Sequence, residues 1–458
     1  MSVNTPSPPT VTHSLFGNGL RIGGRTLVGV LALYASLVLY EFSHRYMLQH
    51  WLSDAYGYFQ LYYDVDRAET YSWICFLTPL ALLPAGTRLQ SASQFILPVF
   101  MSFVGLPAPL YFVHFVAQSA LPYAYGCFFA CYLMLAISTR LRFPQILSPL
   151  NERGYRRLIW ITLIFMATVG AYGMTQNFHL VSFAQLYENR YSEDVNGVLV
   201  QRVAVLYVSS FGGFFFALAL MFRKHLVAVL ALGVYVICYG LLYEKTALLA
   251  PLWLVYIYAV MKFFSRDSTL KFYLALAAPF YLGAVWYALS PNTATLNGNP
   301  IQLIYMGTVL FRLYAIAANA PGLYHLFFQS HPHTYWSHIT GVNYFIRYPY
   351  GDHTIAVEMQ RAFSLGNYNA SFLASDAIEA YGYQAIPLAA LAVGLAFMLL
   401  NTTSLGIKPI TLAVIMMMPS ILISNIPFAT SLLTSGILFL ALLMAWMPKS
   451  WLERTGKI

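Results

Sequence analysis

Long apolar stretches alternate with short polar segments along almost the whole of this 458-residue chain. Because a membrane-spanning helix needs about 20 mostly apolar residues, the pattern predicts roughly twelve spans. Their approximate bounds are 27–40, 71–84, 94–113, 121–138, 158–177, 203–222, 225–243, 246–261, 270–289, 384–400, 409–428 and 431–447. The chain is therefore predicted to be an all-α polytopic membrane protein with a single membrane domain over residues 1–458. The helix count within 94–138 stays open, because four prolines either kink one helix there or separate two.

The distribution of charge predicts the orientation of these spans. The chain is 59% hydrophobic and only 9% charged, which is too apolar for a soluble domain. Twelve crossings would put both termini on one side, and seventeen of the 25 Lys and Arg residues fall on that side, so the termini are predicted to be cytoplasmic. The net charge of +9 then reflects topology and attraction to anionic lipid, and nucleic acid is not an expected partner. The first span, without a clear cleavage site, is expected to be a retained signal-anchor.

Three longer loops are predicted on the other side of the membrane, at 41–70, 178–202 and 290–383. The last is by far the longest, and a long ordered loop in a compact protein is usually functional. It opens with a helix signal, since Asn299 can cap a helix and Pro300 suits the first helical position. This helix is apolar on most faces, which favours a position at or in the membrane interface. Pro321 and Gly322 are expected to end it.

Several classes of chemistry are disfavoured by what the sequence lacks. Apart from His114 and residues at their ends, the predicted spans carry almost no ionisable group, which counts against an ion-coupled transporter. No phosphate-binding loop or dinucleotide fingerprint is present, so the chain is not expected to use ATP or a dinucleotide. The four cysteines, Cys75, Cys127, Cys131 and Cys238, fall inside predicted spans, where packing is their expected role.

The segment 324–369 is rich in histidine and aromatic residues. Aromatic rings with a polar tip suit a membrane interface, and they also offer flat surfaces on which sugar rings can pack. The candidate sugar-binding aromatics are Tyr324, Tyr335, Trp336, Tyr348 and Tyr350. His331, His333 and His338 complete no recognised metal-ligand spacing, so no metal site is predicted.

Arginine on the predicted non-cytoplasmic side opposes the usual charge bias and needs another explanation. The residues are Arg190, Arg202, Arg312, Arg347 and Arg361. A guanidinium binds phosphate oxygens bidentately and stays charged, so these residues could clamp a phosphate. The alternative for Arg190 is local pairing with the neighbouring acidic residues. Arg312 is the strongest candidate, because its helix is apolar and no carboxylate is close in sequence.

Two acidic residues precede the span at 384. Asp376 and Glu379 are spaced i,i+3, which places them on one face of a helix at the membrane boundary. They could cap or solvate the start of that helix, where the helix dipole favours carboxylates. They could also act as a general base, a role for which His338 is a second candidate.

Short words in residues 187–383 resemble the Wzy-type polymerases of O-antigen and related oligosaccharide repeat units. They are His331-Pro-His-Thr-Tyr-Trp-Ser-His338, Tyr348-Pro-Tyr350, Asn369 with Phe372-Leu-Ala, Asp376, Tyr381-Gly-Tyr, Arg312, Tyr187-Glu-Asn-Arg190 and Glu244-Lys245-Thr. The resemblance implies a glycosyltransferase of lipopolysaccharide biosynthesis in the bacterial inner membrane, with a periplasmic active site. Such an enzyme moves a growing glycan from undecaprenyl pyrophosphate onto a sugar hydroxyl of a new lipid-linked repeat unit.

The resemblance also assigns roles to residues. Arg190, Arg312, Arg347, Arg361 and Lys245 would bind pyrophosphate, and Asn369 would join the aromatic residues in binding sugar. His338, Asp376 or Glu379 would serve catalysis, with His338 favoured as base because an unperturbed imidazole titrates near working pH. No cofactor is implied. The expected partners are the lipid-linked oligosaccharide, membrane lipid, a chain-length regulator and a flippase.

Three other functions stay open from the sequence. An O-antigen ligase would share the donor and the fold but use lipid A core as acceptor. A lipid-linked oligosaccharide flippase would show a large wet cavity among its spans. The last alternative is a non-catalytic assembly protein.

Overall fold

The computed structural model describes residues 24–115, 121–145, 147–176, 178–181, 197–263, 268–291, 299–339, 341–365 and 370–455. Within these ranges the chain is built from helices, without a strand, and a single β-bridge joins Arg88 to Ser268. Ten of the helices are long and apolar enough to cross a membrane. The prediction of an all-α polytopic membrane protein is therefore confirmed, whereas the exact number of crossings stays a prediction.

The main helices follow one another along the chain, and the two longest connections contain short helical segments such as Val65–Thr70 and Val342–Tyr344. They are α1 Gly24–Met47, α2 Ile74–Ala85, α3 Ser93–Phe112, α4 Leu121–Ser138, α5 Glu152–Gln176, α6 Val198–Met221, α7 His225–Leu242, α8 Lys245–Phe263, α9 Thr269–Leu289, α10 Pro300–Phe328, α11 Ile355–Phe363, α12 Tyr383–Thr403, α13 Pro409–Asn425, α14 Phe428–Leu432, α15 Ile437–Ala445 and α16 Lys449–Leu452. Residues 94–138, left open by the sequence, form the two separate helices α3 and α4.

Wide helical turns interrupt several of these helices. π-helical segments occur at Leu48–Leu52, Met101–Gly105, Tyr207–Phe211, Met306–Ala315 and Leu373–Ile378. Such segments often mark functional sites, because the extra residue per turn redirects side chains and loosens the backbone hydrogen bonding. Arg312 lies in the fourth and Asp376 in the fifth.

Hydrogen bonds between α3, α4 and α12 define two ends of the helical bundle. Asn401, near the end of α12, donates to the carbonyl oxygens of Ser138 and Thr139 at the end of α4 and accepts from the backbone of Ser93 at the start of α3. At the other end, the ring of Tyr383 contacts the ring of Tyr123 at 5.6 Å. We call these the Asn401 end and the Tyr383 end.

Helix α10 has both of its termini at the Tyr383 end. Helix α9 starts at the Asn401 end, where Thr269 bonds to residues 86 and 87. The end of α9 lies at the opposite end of the bundle, the Tyr383 end. There Gln302, near the start of α10, donates to the carbonyl of Trp286. At the other terminus of α10, the His325 ring lies 5.4 Å from that of Tyr383. The length and hydropathy of α10 would allow it to cross a membrane. The contacts of its two termini indicate instead that α10 lies at one end of the bundle.

The prediction that Pro321 and Gly322 end this helix is wrong, because it runs on to Phe328 with Pro321 inside. Proline is tolerated within apolar helices where neighbouring groups and local adjustments satisfy the freed backbone. Here the preceding π-helical stretch, Met306–Ala315, already loosens the regular hydrogen-bond ladder, and Pro321 and Gly322 are both buried.

Candidate functional site

An imidazole lies between two carboxylates at the Tyr383 end of the bundle. His338 Nε2 is 3.6 Å from Asp376 Oδ1, and His338 Nδ1 is 3.2 Å from Glu379 Oε1. The exposed fractions of these side chains are 17% for His338, 8% for Asp376 and 2% for Glu379. The histidine is therefore the most accessible of the three, and the two carboxylates lie behind it. The structure thus brings together the three residues that the sequence singles out for catalysis.

Backbone pairing holds the histidine loop against the acidic segment. The N–H of Thr334 donates to the carbonyl of Glu379 at 3.0 Å, and the N–H of Tyr335 donates to that of Ala380 at 3.3 Å. The indole N–H of Trp336 donates to the backbone carbonyl of Asp376. These contacts hold residues 334–336 beside residues 376–380. The turn that follows places His338 next to the carboxylates of Asp376 and Glu379.

Tyr335 and Trp336 both adopt left-handed backbone conformations, with φ of 51° and 60°. Two consecutive residues of this kind are uncommon outside glycine, asparagine and aspartate, because Cβ crowds the following carbonyl. Such conformations persist only when the surroundings enforce them, and they are common at functional sites. Here the pairing to residues 376–380 enforces them.

Asp376 is held in place by a second backbone contact. Its Oδ2 accepts a hydrogen bond of 2.6 Å from the N–H of Phe428 at the start of α14, while Oδ1 faces the imidazole. The carboxylate therefore links the π-helical segment Leu373–Ile378 to α14. Regular α-helical spacing would place residues 376 and 379 on one face, and both reach the same imidazole here even though Asp376 lies in the π-helical segment.

The two carboxylates control the charge of the imidazole. Burial on its own would lower the pKa of His338, but the hydrogen-bonding and charge interactions with Asp376 and Glu379 outweigh it and raise the pKa to about 10. Burial also raises the pKa of Glu379, and the neighbouring His338 offsets part of that increase. His338 is accordingly an imidazolium cation at neutral pH. A protonated ring has no free lone pair with which to accept a proton, so the raised pKa favours a carboxylate over His338 as the general base. The preference for His338 stays a prediction.

The contacts of the imidazolium are close but poorly aligned. Both ring nitrogens of His338 and Oε1 of Glu379 are buried atoms without a hydrogen bond of good geometry. Charge attraction at 3.2–3.6 Å thus holds the ring, while its N–H groups do not point directly at an acceptor. Catalytic hydrogen bonds are often loose in an empty site and tighten when substrate binds.

Aromatic residues surround the His338 loop. Tyr335 packs edge-on against Tyr381 with ring centroids 4.7 Å apart. Tyr348 and Tyr350 lie 5.7 Å apart, and the Tyr350 hydroxyl donates to the carbonyl of Pro332. Burial and the nearby charge of Glu379 raise the pKa of both hydroxyl groups.

Not every candidate for sugar binding is accessible. Tyr324 is only 1% exposed and lies in the core, so its ring offers no free face for a sugar in this structure. Trp336 is partly buried, and its indole ring contacts the ring of Tyr381 at 5.3 Å. In contrast, Tyr344 and Phe345, just before Arg347, are 83% and 90% exposed.

The candidate phosphate-binding residues have different environments. Arg312 lies exposed on the π-helical part of α10, and Arg347 lies exposed after Phe345; in the described ranges neither has a carboxylate within ion-pair distance. Arg361 is already engaged, at 2.8 Å from Glu358 and 3.3 Å from His353. Lys245 is the first residue of α8. Arg190 and Asn369 lie outside the described residues.

One ionisable pair was missed by the sequence analysis. Helix α1 does not end at the predicted boundary near residue 40 but continues to Met47, so that Glu41 and His44 lie within the first candidate span with 0% exposure. His44 Nδ1 shares a hydrogen bond of 2.8 Å with the Tyr111 hydroxyl, whereas neither carboxylate oxygen of Glu41 bonds to any residue that the structure describes. The i,i+3 spacing of Glu41 and His44 directly after an apolar run is the signal that could have found them.

Comparisons with known proteins do not identify the chain, so a functional assignment depends on the chemistry of the site. No family model matches the chain, no curated protein matches it, and no solved structure matches its fold. What is established is a class, that of all-α multi-pass membrane proteins, with a histidine side chain between two carboxylates at one end of the bundle.

Proposed function

We propose that this protein is a membrane glycosyltransferase that polymerises lipid-linked oligosaccharide repeat units, as O-antigen polymerases do. The growing glycan passes from undecaprenyl pyrophosphate to a sugar hydroxyl of a new lipid-linked unit, at the periplasmic face of the bacterial inner membrane. The observation that carries the proposal is the contact of His338 with Asp376 and Glu379, which combines a cation and potential proton acceptors at one end of a helical bundle.

The cationic residues match the charge of the leaving group. When the glycosidic bond to pyrophosphate breaks, its electron pair leaves with the phosphate oxygen, and negative charge develops there. Preorganised cations at that position stabilise the transition state. The His338 imidazolium is suited to this role, and so is the exposed guanidinium of Arg312, which forms no ion pair within the described residues. Arg347 is a third candidate. Arg361 would first have to leave Glu358.

The proton of the acceptor hydroxyl then goes to a carboxylate. Glu379 is the better acceptor, because burial raises its pKa and makes it a stronger base. Asp376 instead holds the backbone of Phe428 and positions the imidazole. The poorly aligned contacts of His338 allow the ring to turn towards a phosphate without breaking a hydrogen bond of good geometry, and this movement would uncover Glu379.

The aromatic surface beside this cluster is suited to carbohydrate. Tyr335, Tyr348 and Tyr350 present hydroxyl-bearing rings within the same loop region as His338. A ring face packs on the apolar face of a sugar, and a hydroxyl group adds a hydrogen bond. The same arrangement serves an O-antigen ligase, whose donor is identical and whose acceptor alone differs.

One observation favours a second candidate, a lipid-linked oligosaccharide flippase. Ionisable residues within a membrane span mark ion pathways in transporters, and Glu41 and His44 are such residues. A flippase would also need a wet cavity among its spans, whereas the large cavity between α5, α6 and α7 is lined mainly by apolar side chains.

A gene deletion distinguishes these functions through the surface polysaccharide seen on a gel. We expect single-repeat material, which indicates loss of a polymerase. Long lipid-linked chains not joined to lipid A core would indicate a ligase, and loss of all periplasmic glycan would indicate a flippase. Purified protein with lipid-linked repeat units should then form long chains without added nucleotide.

A further inference from the structure

A large apolar cavity lies between helices α5, α6 and α7, and none of its lining residues belongs to the cluster around His338. Its volume is about 760 Å³, within the range of roughly 300–1,000 Å³ typical of small-molecule sites. The lining is almost entirely apolar, and it includes Leu163, Met166, Val203, Leu218, Leu230 and Val234. A cavity of this kind among membrane helices suits a hydrocarbon chain.

One end of this cavity is basic. Arg156 at the start of α5 and Lys224 just before α7 belong to its lining. Arg454 lies beside them, with its guanidinium 5.3 Å from the centre of the Phe222 ring. Two carboxylates are also near: Glu152 binds Arg156 at 2.8 Å, and Glu453 precedes Arg454 in sequence. The Arg156–Glu152 pair is exposed, and exposed ion pairs are weak enough to exchange partners.

A buried indole at this end is only loosely paired. Trp451 is 5% exposed and packs between the rings of Tyr155 at 5.1 Å and Phe222 at 4.7 Å. Its N–H lies near the carboxylate of Glu152, but the contact is not a hydrogen bond of good geometry. A phosphate oxygen at the mouth of the cavity could accept a better-aligned hydrogen bond from this donor.

The basic end of the cavity lies at the Asn401 end of the bundle, opposite the His338 cluster. Residues leading into α5 contact helices there: Phe143 N–H donates to Thr402 Oγ1, and Leu150 N–H donates to the carbonyl of Trp446. The Tyr155 hydroxyl then donates to the carbonyl of Leu443. A headgroup bound at Arg156 and Lys224 is therefore in the other leaflet from a substrate bound at His338.

We propose that this cavity binds an anionic phospholipid of the leaflet at the Asn401 end. One acyl chain fills the space between α5, α6 and α7, and the phosphate lies between Arg156, Lys224 and the indole N–H of Trp451. Basic pockets between membrane helices bind anionic headgroups in this way. The inference does not depend on the proposed glycosyltransferase function.

The test uses the purified full-length protein in detergent, with phosphatidylglycerol and phosphatidylcholine of identical acyl chains added separately. At equal concentration, the lipid that binds more tightly raises the melting temperature further, and native mass spectrometry counts the lipids retained. We expect phosphatidylglycerol to bind more tightly than phosphatidylcholine. Arg156→Gln and Lys224→Gln should each reduce that preference about fivefold. Lys262→Gln, which removes a basic residue outside the cavity, should leave it unchanged.

A pair of glycine variants tests the cavity itself. Gly170 lines it, and an added Cβ there meets no atom within 4 Å; Gly233 on α7 also has open space but does not line the cavity. Gly170→Leu should therefore abolish binding of both lipids, and Gly233→Leu should not. Equal binding of the two lipids by the wild-type protein, or equal effects of the two leucine variants, would overturn the proposal. So would the same stabilisation by inorganic phosphate, which would show an anion site only. If Gly170→Leu does not fold, the charge variants decide the question.

Discussion

His338 Nδ1 lies 3.2 Å from Glu379 Oε1, although the two residues belong to different segments of the chain. The contact changes what each group can do. An isolated histidine titrates near pH 6.5, whereas this one has its pKa raised to about 10 and carries a positive charge at neutral pH. The buried carboxyl of Glu379 has its pKa raised as well, so that the pair consists of a cation and a strengthened base.

The raised pKa of His338 predicts a pH-dependent stability. The pKa is higher in the folded protein than in the unfolded chain, so the folded state binds this proton more tightly. The resulting stabilisation is fully present below about pH 6.5 and is lost as the pH rises towards 10. We expect the melting temperature of the purified protein to fall between pH 7 and pH 10. His338→Gln should remove that part of the pH dependence, and identical pH profiles for both proteins would contradict the assignment.

The two carboxylates should differ in their effect on turnover. Glu379→Gln removes the proposed proton acceptor, so chain elongation by purified protein should fall by ~10²–10⁴-fold while the lipid-linked donor still binds. Asp376→Asn retains an acceptor oxygen for the Phe428 N–H and should lose less activity. Elongation rate and donor binding are measured separately for both variants. A larger loss of elongation in Asp376→Asn than in Glu379→Gln would indicate that Asp376 is the general base.

Arg312 should not tolerate replacement by lysine. A guanidinium forms two parallel hydrogen bonds to a phosphate, and an ammonium group keeps the charge but loses this geometry. Arg312→Lys is therefore expected to lose most polymerisation at an unchanged protein level in the membrane. Arg361→Lys is the matched control, because Arg361 is occupied by Glu358 and His353 and should show a smaller effect. Normal chain length in Arg312→Lys would show that Arg312 contributes at most its positive charge and that bidentate binding of phosphate is not required.

Glu41 should be a source of instability. Both carboxylate oxygens are buried, and no described residue forms a hydrogen bond with them; burying an unpaired polar or charged group costs free energy. Glu41→Gln keeps the volume nearly constant but cannot carry a buried negative charge, so the melting temperature is expected to rise. Tyr111→Phe, which removes the partner of His44 Nδ1, should lower it. A lower melting temperature for Glu41→Gln would show that the carboxylate has a stabilising partner, such as a bound ion.

The orientation in the membrane can be tested with introduced cysteines. The four native cysteines are buried, so they should give little background labelling. Cysteines placed at Ser330, near the His338 cluster, and at Ser192 should react with an impermeant thiol reagent in intact spheroplasts. A cysteine at Ser148, an exposed residue in the loop at the Asn401 end, should not. Labelling at Ser148 alone would invert the topology.

Much of the architecture follows from the sequence, because the need to shield backbone polar groups in a bilayer makes long apolar segments helical. The apolar runs predicted the positions of α3, α4, α7, α9 and α12 closely. Residue types and spacing also identified His338, Asp376 and Glu379 as candidates for chemistry. A sequence pattern of this kind reflects the local preference of the chain. It predicts the structure correctly where the membrane environment, and not packing against a distant segment, determines the conformation.

Only the tertiary structure decided how those candidates act on one another. The pKa of His338 depends on two carboxylates from another segment, and a histidine read in isolation would be assigned a lower pKa. The extent of α1 likewise depends on packing, because a charged residue normally ends a span, and Glu41 is buried against other helices instead. The continuation of α10 through Pro321 depends on its neighbours in the same way. Hydrogen bonds, burial and electrostatic interactions between distant segments are properties of the fold, and no local pattern contains them.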